Sequence, residues 1–207
     1  MASAGLAYHL KEIALGREAL ESPSPIHLGA YFYGYTLVAP GFAWITGALD
    51  TQFPGPSQAR AWTRAYLTFG NEEGLVRVAE AAVRLIEDPA RSVVVADSCV
   101  PDSFVDVVVD AVRAKRPATV LGECTLAWLY NFGLGAQAAT DDFFEEIARQ
   151  RRAELLQFEI WLQNYFNVSG VPWQRLLRAF EGPSEGAVQS FASYWLHFRG
   201  SPSARSQ

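Results

Sequence analysis

Cysteine and long apolar runs are scarce in this chain of 207 residues, and each scarcity excludes a class of protein. Two cysteines, Cys99 and Cys124, are too few for a disulfide framework or for a zinc site made of four thiolates. No run reaches the roughly 18 uncharged apolar residues of a membrane span, because the longest candidate, 26–49, contains Pro40 and four glycines. We therefore predict no membrane insertion and no structural metal.

Positive charge is also limited. The 17 basic residues are outnumbered by 22 acidic ones, which gives a net charge of -5. A protein that binds nucleic acid neutralises phosphates with a basic surface, so we expect no nucleic-acid partner. The first residues show no basic segment followed by an apolar one, so we expect no signal peptide and a cytoplasmic location. Half of the residues are hydrophobic, which favours a folded globular chain.

Apolar residues recur at helical spacing along most of the chain, which predicts an all-α, multi-helix bundle. A first helix would bury Leu6, Leu10 and Ile13 and end before the Ser/Pro break at 22–25. Gly133 and Gly135 would close a short aromatic helix that begins at Thr125. Further helices are predicted at 59–69, 72–87, 103–115, 142–166, 172–180 and 185–198.

Two stretches of the chain share one layout, which predicts a degenerate internal tandem repeat. Residues 24–34 and 125–135 both read as a hydroxyl residue, an aliphatic residue, an aromatic residue and a glycine, at an offset of 101. Downstream, a tryptophan helix and a Glu-Gly pair recur at offsets of 111 and 112. We therefore predict an N-terminal repeat at 1–97 and a C-terminal repeat at 98–200, packed as one globular unit, with a disordered tail at 201–207.

The second repeat contains a longer motif. It reads Arg116-Pro117-x4-Gly122-Glu123-x-Thr125-Leu126, with Leu129, Phe132, Gly135 and the Phe158-x2-Trp161 pair further on. This layout resembles a widespread group of small bacterial proteins, largely uncharacterised, some of which resemble immunity partners encoded beside polymorphic secreted toxins. The resemblance implies a non-enzymatic interaction protein, and it carries no catalytic residue over to this chain.

Acidic residues are concentrated in the middle of the chain, where they favour a protein partner of opposite charge. Aligned on one face, they would attract a basic protein such as a nuclease toxin and speed its association. A solvated face that only maintains solubility is the alternative. The candidate partner-binding residues are Glu72, Glu73, Glu80, Glu87, Asp88, Asp102, Asp106 and Asp110.

A second hypothesis concerns the acidic run at 141–146. Asp141, Asp142 and Glu145 would share a helix face and could chelate Mg²⁺ in a helical enzyme or ligand-binding protein. The same residues suit the acidic first turn of a helix, and the second carboxylate motif of terpene cyclases is absent. We therefore predict no enzyme activity and no cofactor, with the magnesium site as the alternative.

Overall fold

The computed structural model describes residues 2–18, 20–56, 58–89, 103–115 and 125–201. These residues form ten α-helices and one short 3-10 turn, Pro40–Phe42, with no strand among them. The predicted all-α, multi-helix class is confirmed. The helices are α1 Ala2–Ala14, α2 Pro25–Val38, α3 Trp44–Gln52, α4 Ala61–Phe69, α5 Glu72–Ile86, α6 Phe104–Arg113, α7 Leu126–Phe143, α8 Glu145–Tyr165, α9 Trp173–Glu181 and α10 Glu185–Gly200.

Three helices begin at hydroxyl residues that the sequence identifies. The side chains of Ser24, Ser103 and Thr125 each accept a backbone N–H of the first helical turn, which satisfies a donor that has no partner inside the helix. Asn71 precedes α5, but its side chain makes no capping hydrogen bond. Two glutamates in the first turn of α5 instead complement the positive end of the helix dipole.

The helix boundary in the region 125–166 differs from the prediction. Gly133 and Gly135 do not end a helix; both lie inside α7, which continues to Phe143. The next helix starts at Glu145 rather than at Asp142, after a break at Phe144. Glycine is typical of helix ends, which is why the local sequence predicts a stop here. In the structure Gly135 instead allows the backbone of α7 to lie close to that of α2.

That approach is the crossing of α2 and α7, and it is reciprocal. A Cβ atom added at Gly34 of α2 would overlap the carbonyl oxygen of Phe132, and one added at Gly135 of α7 would overlap the carbonyl oxygen of Tyr31. Only glycine lets two helix backbones come this close. Each glycine therefore meets the residue three positions before the other.

Contacts divide the chain into two compact units, and the first consists of Met1–Pro101 and Asn131–Phe144. Within it, α5 packs against α1, α2, α3 and α4. The apolar residues predicted for α1 and α5 are buried, including Leu10 and Val78 at 0 % exposure. The grouping does not follow the predicted repeat boundary at 97/98, because the Gly34–Gly135 crossing joins residues 131–144 to α2.

The second unit consists of Asp102–Tyr130 and Glu145–Gln207. Its core is aromatic: Phe158 of α8 lies edge-on to Phe191, Trp195 and Phe198 of α10, with ring centroids 5.0–5.8 Å apart. Such pairs add to the energy of apolar burial. None of the described helices in either unit is both long and apolar enough to cross a membrane.

Candidate functional site

A polar cluster lies in unit 1, where α1, α2 and the end of α7 meet. The imidazole of His9 contacts the Glu18 carboxylate at 2.9 Å through Nδ1 and the Asp142 carboxylate at 3.7 Å through Nε2. The hydroxyl of Tyr35 donates to the other oxygen of Asp142 at 2.6 Å. The side chains of these three charged residues keep only 20–29 % of their surface exposed.

Small and aromatic neighbours shape this cluster. A Cβ atom at Gly5 of α1 would overlap the carboxylate of Asp142, so glycine is what admits that carboxylate against the helix. Tyr31 lies beside the cluster, its ring 6.4 Å from that of His9. Its hydroxyl is buried and has no hydrogen-bond partner among the described residues. Burial raises the pKa of Tyr31 well above its ordinary value, so the group stays neutral.

The two carboxylates raise the pKa of His9 to about 9. Asp142 contributes most and Glu18 follows, although the Glu18 contact is the shorter one; burial acts in the opposite direction. A general base must be neutral at the working pH, and an imidazole with this pKa is a cation near neutrality. The cluster therefore suits an electrostatic clamp between three helices better than acid–base chemistry.

A groove of about 750 Å³ lies beside α5 in unit 1. One wall is the end of α3 with the residues that follow it, another is the last turn of α4, and the floor is the outer face of α5. Phe53, Phe69 and Val76 give the groove an apolar surface, with charged side chains above it. Its lining residues are Gln52, Phe53, Pro54, Phe69, Glu72, Glu73, Val76, Arg77, Glu80, Ala81 and Arg84.

Arg64 holds the wall of the groove in place from inside. This arginine is only 8 % exposed, and its guanidinium donates to the carbonyl oxygens of Asp50, Phe53 and Pro56 at 2.7–3.0 Å. A buried charge is tolerated when it is fully hydrogen-bonded. These hydrogen bonds hold the chain from Asp50 to Pro56, between α3 and α4, and with it Phe53 at the groove.

Three of the predicted partner-binding residues line this groove together. Glu72, Glu73 and Glu80 stand on the exposed side of α5. Glu73 pairs with Arg77 at 2.7 Å, and Glu80 lies 3.9 Å from Arg84. Glu72 has no ion-pair partner among the described residues. The groove thus carries three carboxylates against two guanidinium groups.

The other predicted residues lie elsewhere. Glu87, just after α5, pairs with Lys11 of α1. Asp88 follows it in unit 1, whereas Asp106 and Asp110 belong to α6 in unit 2. Asp106 lies 3.6 Å from Arg199. Asp102 falls outside the described residues, as do Cys99, Cys124, the Arg116–Glu123 part of the family-like motif and most of the 201–207 tail.

The acidic run at 141–146 is divided between two helices. Asp142 is engaged by His9 and Tyr35 at the end of α7, whereas Glu145 opens α8 and lies 3.6 Å from Arg149. Asp141 is exposed. Within the described part of the chain, no group of three or more His, Cys, Asp or Glu side chains is placed to hold a metal ion. Asp141, Asp142 and Glu145 therefore do not form the set of converging ligands that the magnesium hypothesis requires.

A Gly-x-Ser-x-Gly spacing occurs at 182–186, which is the spacing of the nucleophile elbow in α/β-hydrolases. In that fold the serine sits on a sharp turn from a strand into a helix. Here the segment joins helix α9 to helix α10, and Ser184 is the residue that precedes α10. The spacing therefore lacks the structural context that the chemistry requires.

Comparison of the chain with family models, with curated proteins and with solved structures returns no match. The resemblance to small bacterial immunity-type proteins therefore stays a prediction that rests on the residues quoted for it.

Sequence reasoning missed both the polar cluster and the apolar part of the groove. The cluster joins residues that are far apart in sequence; Tyr35 and Asp142 are separated by 107 positions. Phe53 and Phe69 carried a weak signal, since each stands at a helix end, where an aromatic ring has few neighbours within its own helix. The glutamates of the groove could be identified because acidic residues are concentrated in this part of the sequence.

Proposed function

We propose that the chain is a non-enzymatic binding protein that takes up a basic segment of a protein partner in the groove beside α5. The observation that carries this proposal is the groove itself, which has a volume of about 750 Å³ and is lined by apolar side chains together with Glu72, Glu73 and Glu80. Ligand sites in proteins are concave, largely apolar, and carry a few polar groups that select the ligand.

The apolar side chains and the glutamates of the groove would contribute differently. Apolar side chains of a partner would displace water from Phe53, Phe69 and Val76, and such central contacts supply most of the binding energy of an interface. The glutamates at the edge would select a basic partner and raise its association rate. The net charge of -5 acts in the same direction over longer distances.

The arginines of the groove do not oppose this proposal. Arg77 and Arg84 are 52 % and 69 % exposed, and exposed ion pairs of this kind contribute roughly 0–1 kcal/mol. A basic partner can therefore take over Glu73 and Glu80 at little cost. Glu72 is available from the start.

A narrower form of the proposal makes the partner a basic nuclease toxin and this chain its immunity protein. Its support is the resemblance of the 116–135 motif to small bacterial proteins of that type, together with the acidic groove. Occlusion of the toxin's active surface would then be the mode of action.

Selection of peptides would test the groove. A library of random 12-residue peptides displayed on phage is selected on the immobilised full chain. We expect the selected peptides to carry a net positive charge. Their affinity should fall at least tenfold for the Glu72→Lys, Glu80→Lys double variant, since two charge reversals at an interface typically cost more than 1.4 kcal/mol.

The matched control changes the same charge elsewhere. The Glu145→Lys, Glu146→Lys double variant alters two exposed glutamates at the start of α8, and it should leave the affinity within twofold. Selected peptides without an excess of basic residues, or an equal response of the two double variants, would refute the proposal.

We also infer that the chain arose by tandem duplication. Ser24 and Thr125, at the predicted offset of 101, both cap their helix by accepting the N–H three residues on. Gly34 and Gly135, at the same offset, meet reciprocally. Gly70 and Gly182 end α4 and α9 with φ of 78° and 80°, and they are separated by 112 positions, like the downstream Glu-Gly pair.

A further inference from the structure

We propose that the partner is held in the groove by an aromatic side chain that inserts between Phe53 and Phe69. This inference rests on the proposed function and adds the chemistry of the anchor. Both rings line the groove. Both residues belong to the part of the chain that the structure describes, and their rings are not in contact with each other. Among the described residues, neither ring is in contact with another aromatic ring.

Unit 2 has an aromatic pair at the corresponding helix ends, those of α8 and α9, and there the two rings are in direct contact. Phe166 is the first residue after α8, as Phe53 is the first after α3, and Phe180 lies in the last turn of α9, as Phe69 does in α4. Phe166 and Phe180 stack face to face, with centroids 4.2 Å apart and planes 9° from parallel. This pair of positions therefore accommodates flat rings in direct stacking.

The walls of the groove are held firmly enough to receive a ring. Phe53 is 8 % exposed, and its carbonyl oxygen accepts a hydrogen bond from Arg64 at 3.0 Å. The guanidinium of Arg77 lies over the ring of Phe69, 4.2 Å from its centroid, a cation–π contact that restricts the orientation of that ring. A side chain that enters the groove therefore loses little energy to reordering of its walls.

Size and charge identify the partner further. A volume of about 750 Å³ exceeds the need of one aromatic side chain, so residues on either side of the anchor also fit. With Glu72 and Glu80 flanking the floor, lysine or arginine beside the aromatic residue would complete the match. We infer a short basic segment with Trp, Tyr or Phe at its centre, since rigid aromatic anchors dominate interface energies.

The peptides selected on the full chain supply the probe for this inference. Each basic peptide is resynthesised with its aromatic residue replaced by alanine, at unchanged charge. We expect the affinity for the unmodified chain to fall at least tenfold, which is the effect of losing one central anchor. Because the protein is unaltered in this comparison, a folding defect cannot produce the result.

A filled groove provides the second measurement. Val76→Trp places an indole on the floor, whereas Leu156→Trp places one on a side chain of α8 that is 57 % exposed. Val76→Trp should weaken binding at least tenfold and Leu156→Trp less than twofold, both with the circular dichroism of the parent chain.

The two proposals fail differently. Basic peptides that bind equally well with alanine in place of the aromatic residue would overturn the anchor and leave the acidic groove intact. Binding that survives Val76→Trp would overturn both proposals, because the peptide would then not occupy the groove. Selected peptides without basic residues would overturn the proposed function, and the anchor with it.

Discussion

His9 acts as a fixed cation in unit 1. Burial alone would lower the pKa of a histidine, yet the Asp142 and Glu18 carboxylates raise it to about 9. The imidazolium therefore stays charged near neutral pH and ties α1 to the end of α7. Tyr35 of α2 donates a hydrogen bond to the same Asp142 carboxylate, so a third helix is linked to it. One ionised side chain thus orients segments that are far apart in the sequence.

The stability of the protein should depend on the charge of His9. Since its folded pKa lies above the ordinary 6.5, its contribution is complete below pH 6.5 and is lost as the pH rises through about 9. We expect the free energy of unfolding, measured in urea, to fall over this range more steeply for the parent chain than for His9→Gln.

NMR titration of His9 distinguishes the effects of Asp142 and Glu18 on its pKa. In NMR, the His9 ring should titrate near pH 9 in the parent chain and at lower pH in Asp142→Asn, because Asp142 contributes most to the shift. A midpoint near 6.5 in the parent chain would show that the clamp does not exist in solution.

At the scale of helices, the α2–α7 crossing depends on two glycines. Gly34→Ala and Gly135→Ala each place a methyl group on the carbonyl oxygen of the opposite helix. Relief of such a clash requires the backbones to separate, so we expect each substitution to lower the free energy of unfolding by about 3 kcal/mol, at the upper end of overpacking costs. Denaturant unfolding measures the change.

Gly47 of α3 is the matched control. A Cβ atom there meets nothing within 4 Å, so Gly47→Ala should be neutral or stabilise by up to about 1 kcal/mol. Because the two overlaps are of similar size, we also expect similar costs at Gly34 and Gly135. Costs that differ by more than about 1 kcal/mol would count against the crossing as described and against the duplication.

The helices that could be predicted from sequence are those whose signals are local. Helix α5 could be predicted from the helical spacing of Leu75, Val78 and Ala82, all of which are buried in the structure. The end of α7 could not be predicted, because Gly135 has the same local appearance whether it stops a helix or admits a neighbour. Only the position of α2 distinguishes the two cases.

Only the acidic side chains of the groove could be predicted from the sequence, for a similar reason. Charge is visible in a sequence, so Glu72, Glu73 and Glu80 were found, but the prediction could not separate them from Asp106 and Asp110, which belong to the other unit. The apolar walls of the groove depend on how α3, α4 and α5 pack. Their rings become a surface feature only once that packing is known.

At the scale of the whole chain, neither compact unit is a continuous stretch of sequence. Residues 131–144 supply Gly135 and Asp142 to unit 1, and α7 contributes its first residues to unit 2 and the rest to unit 1. The repeats predicted at 1–97 and 98–200 rest on a sequence pattern alone, whereas the contacts follow a different division.

Separate expression of the two predicted repeats tests this division. A fragment of residues 1–97 lacks the partners of Gly34, His9 and Tyr35, so we expect it to show no cooperative thermal transition by circular dichroism. Mixing it with the fragment 98–207 should restore one. A cooperative transition in the isolated fragment, at the melting temperature of the full chain, would contradict the assignment of 131–144 to unit 1.

The late position of residues 131–144 has a consequence for biosynthesis. A chain that leaves the ribosome from its first residue presents α1 to α5 long before the segment that completes their packing has been translated. Until then the rings of Tyr35 and Phe42 lack their contact with Phe143 of α7, and exposed apolar surface of this kind favours aggregation of the nascent chain. We therefore expect packing of the first unit to be completed only after about residue 144 has emerged.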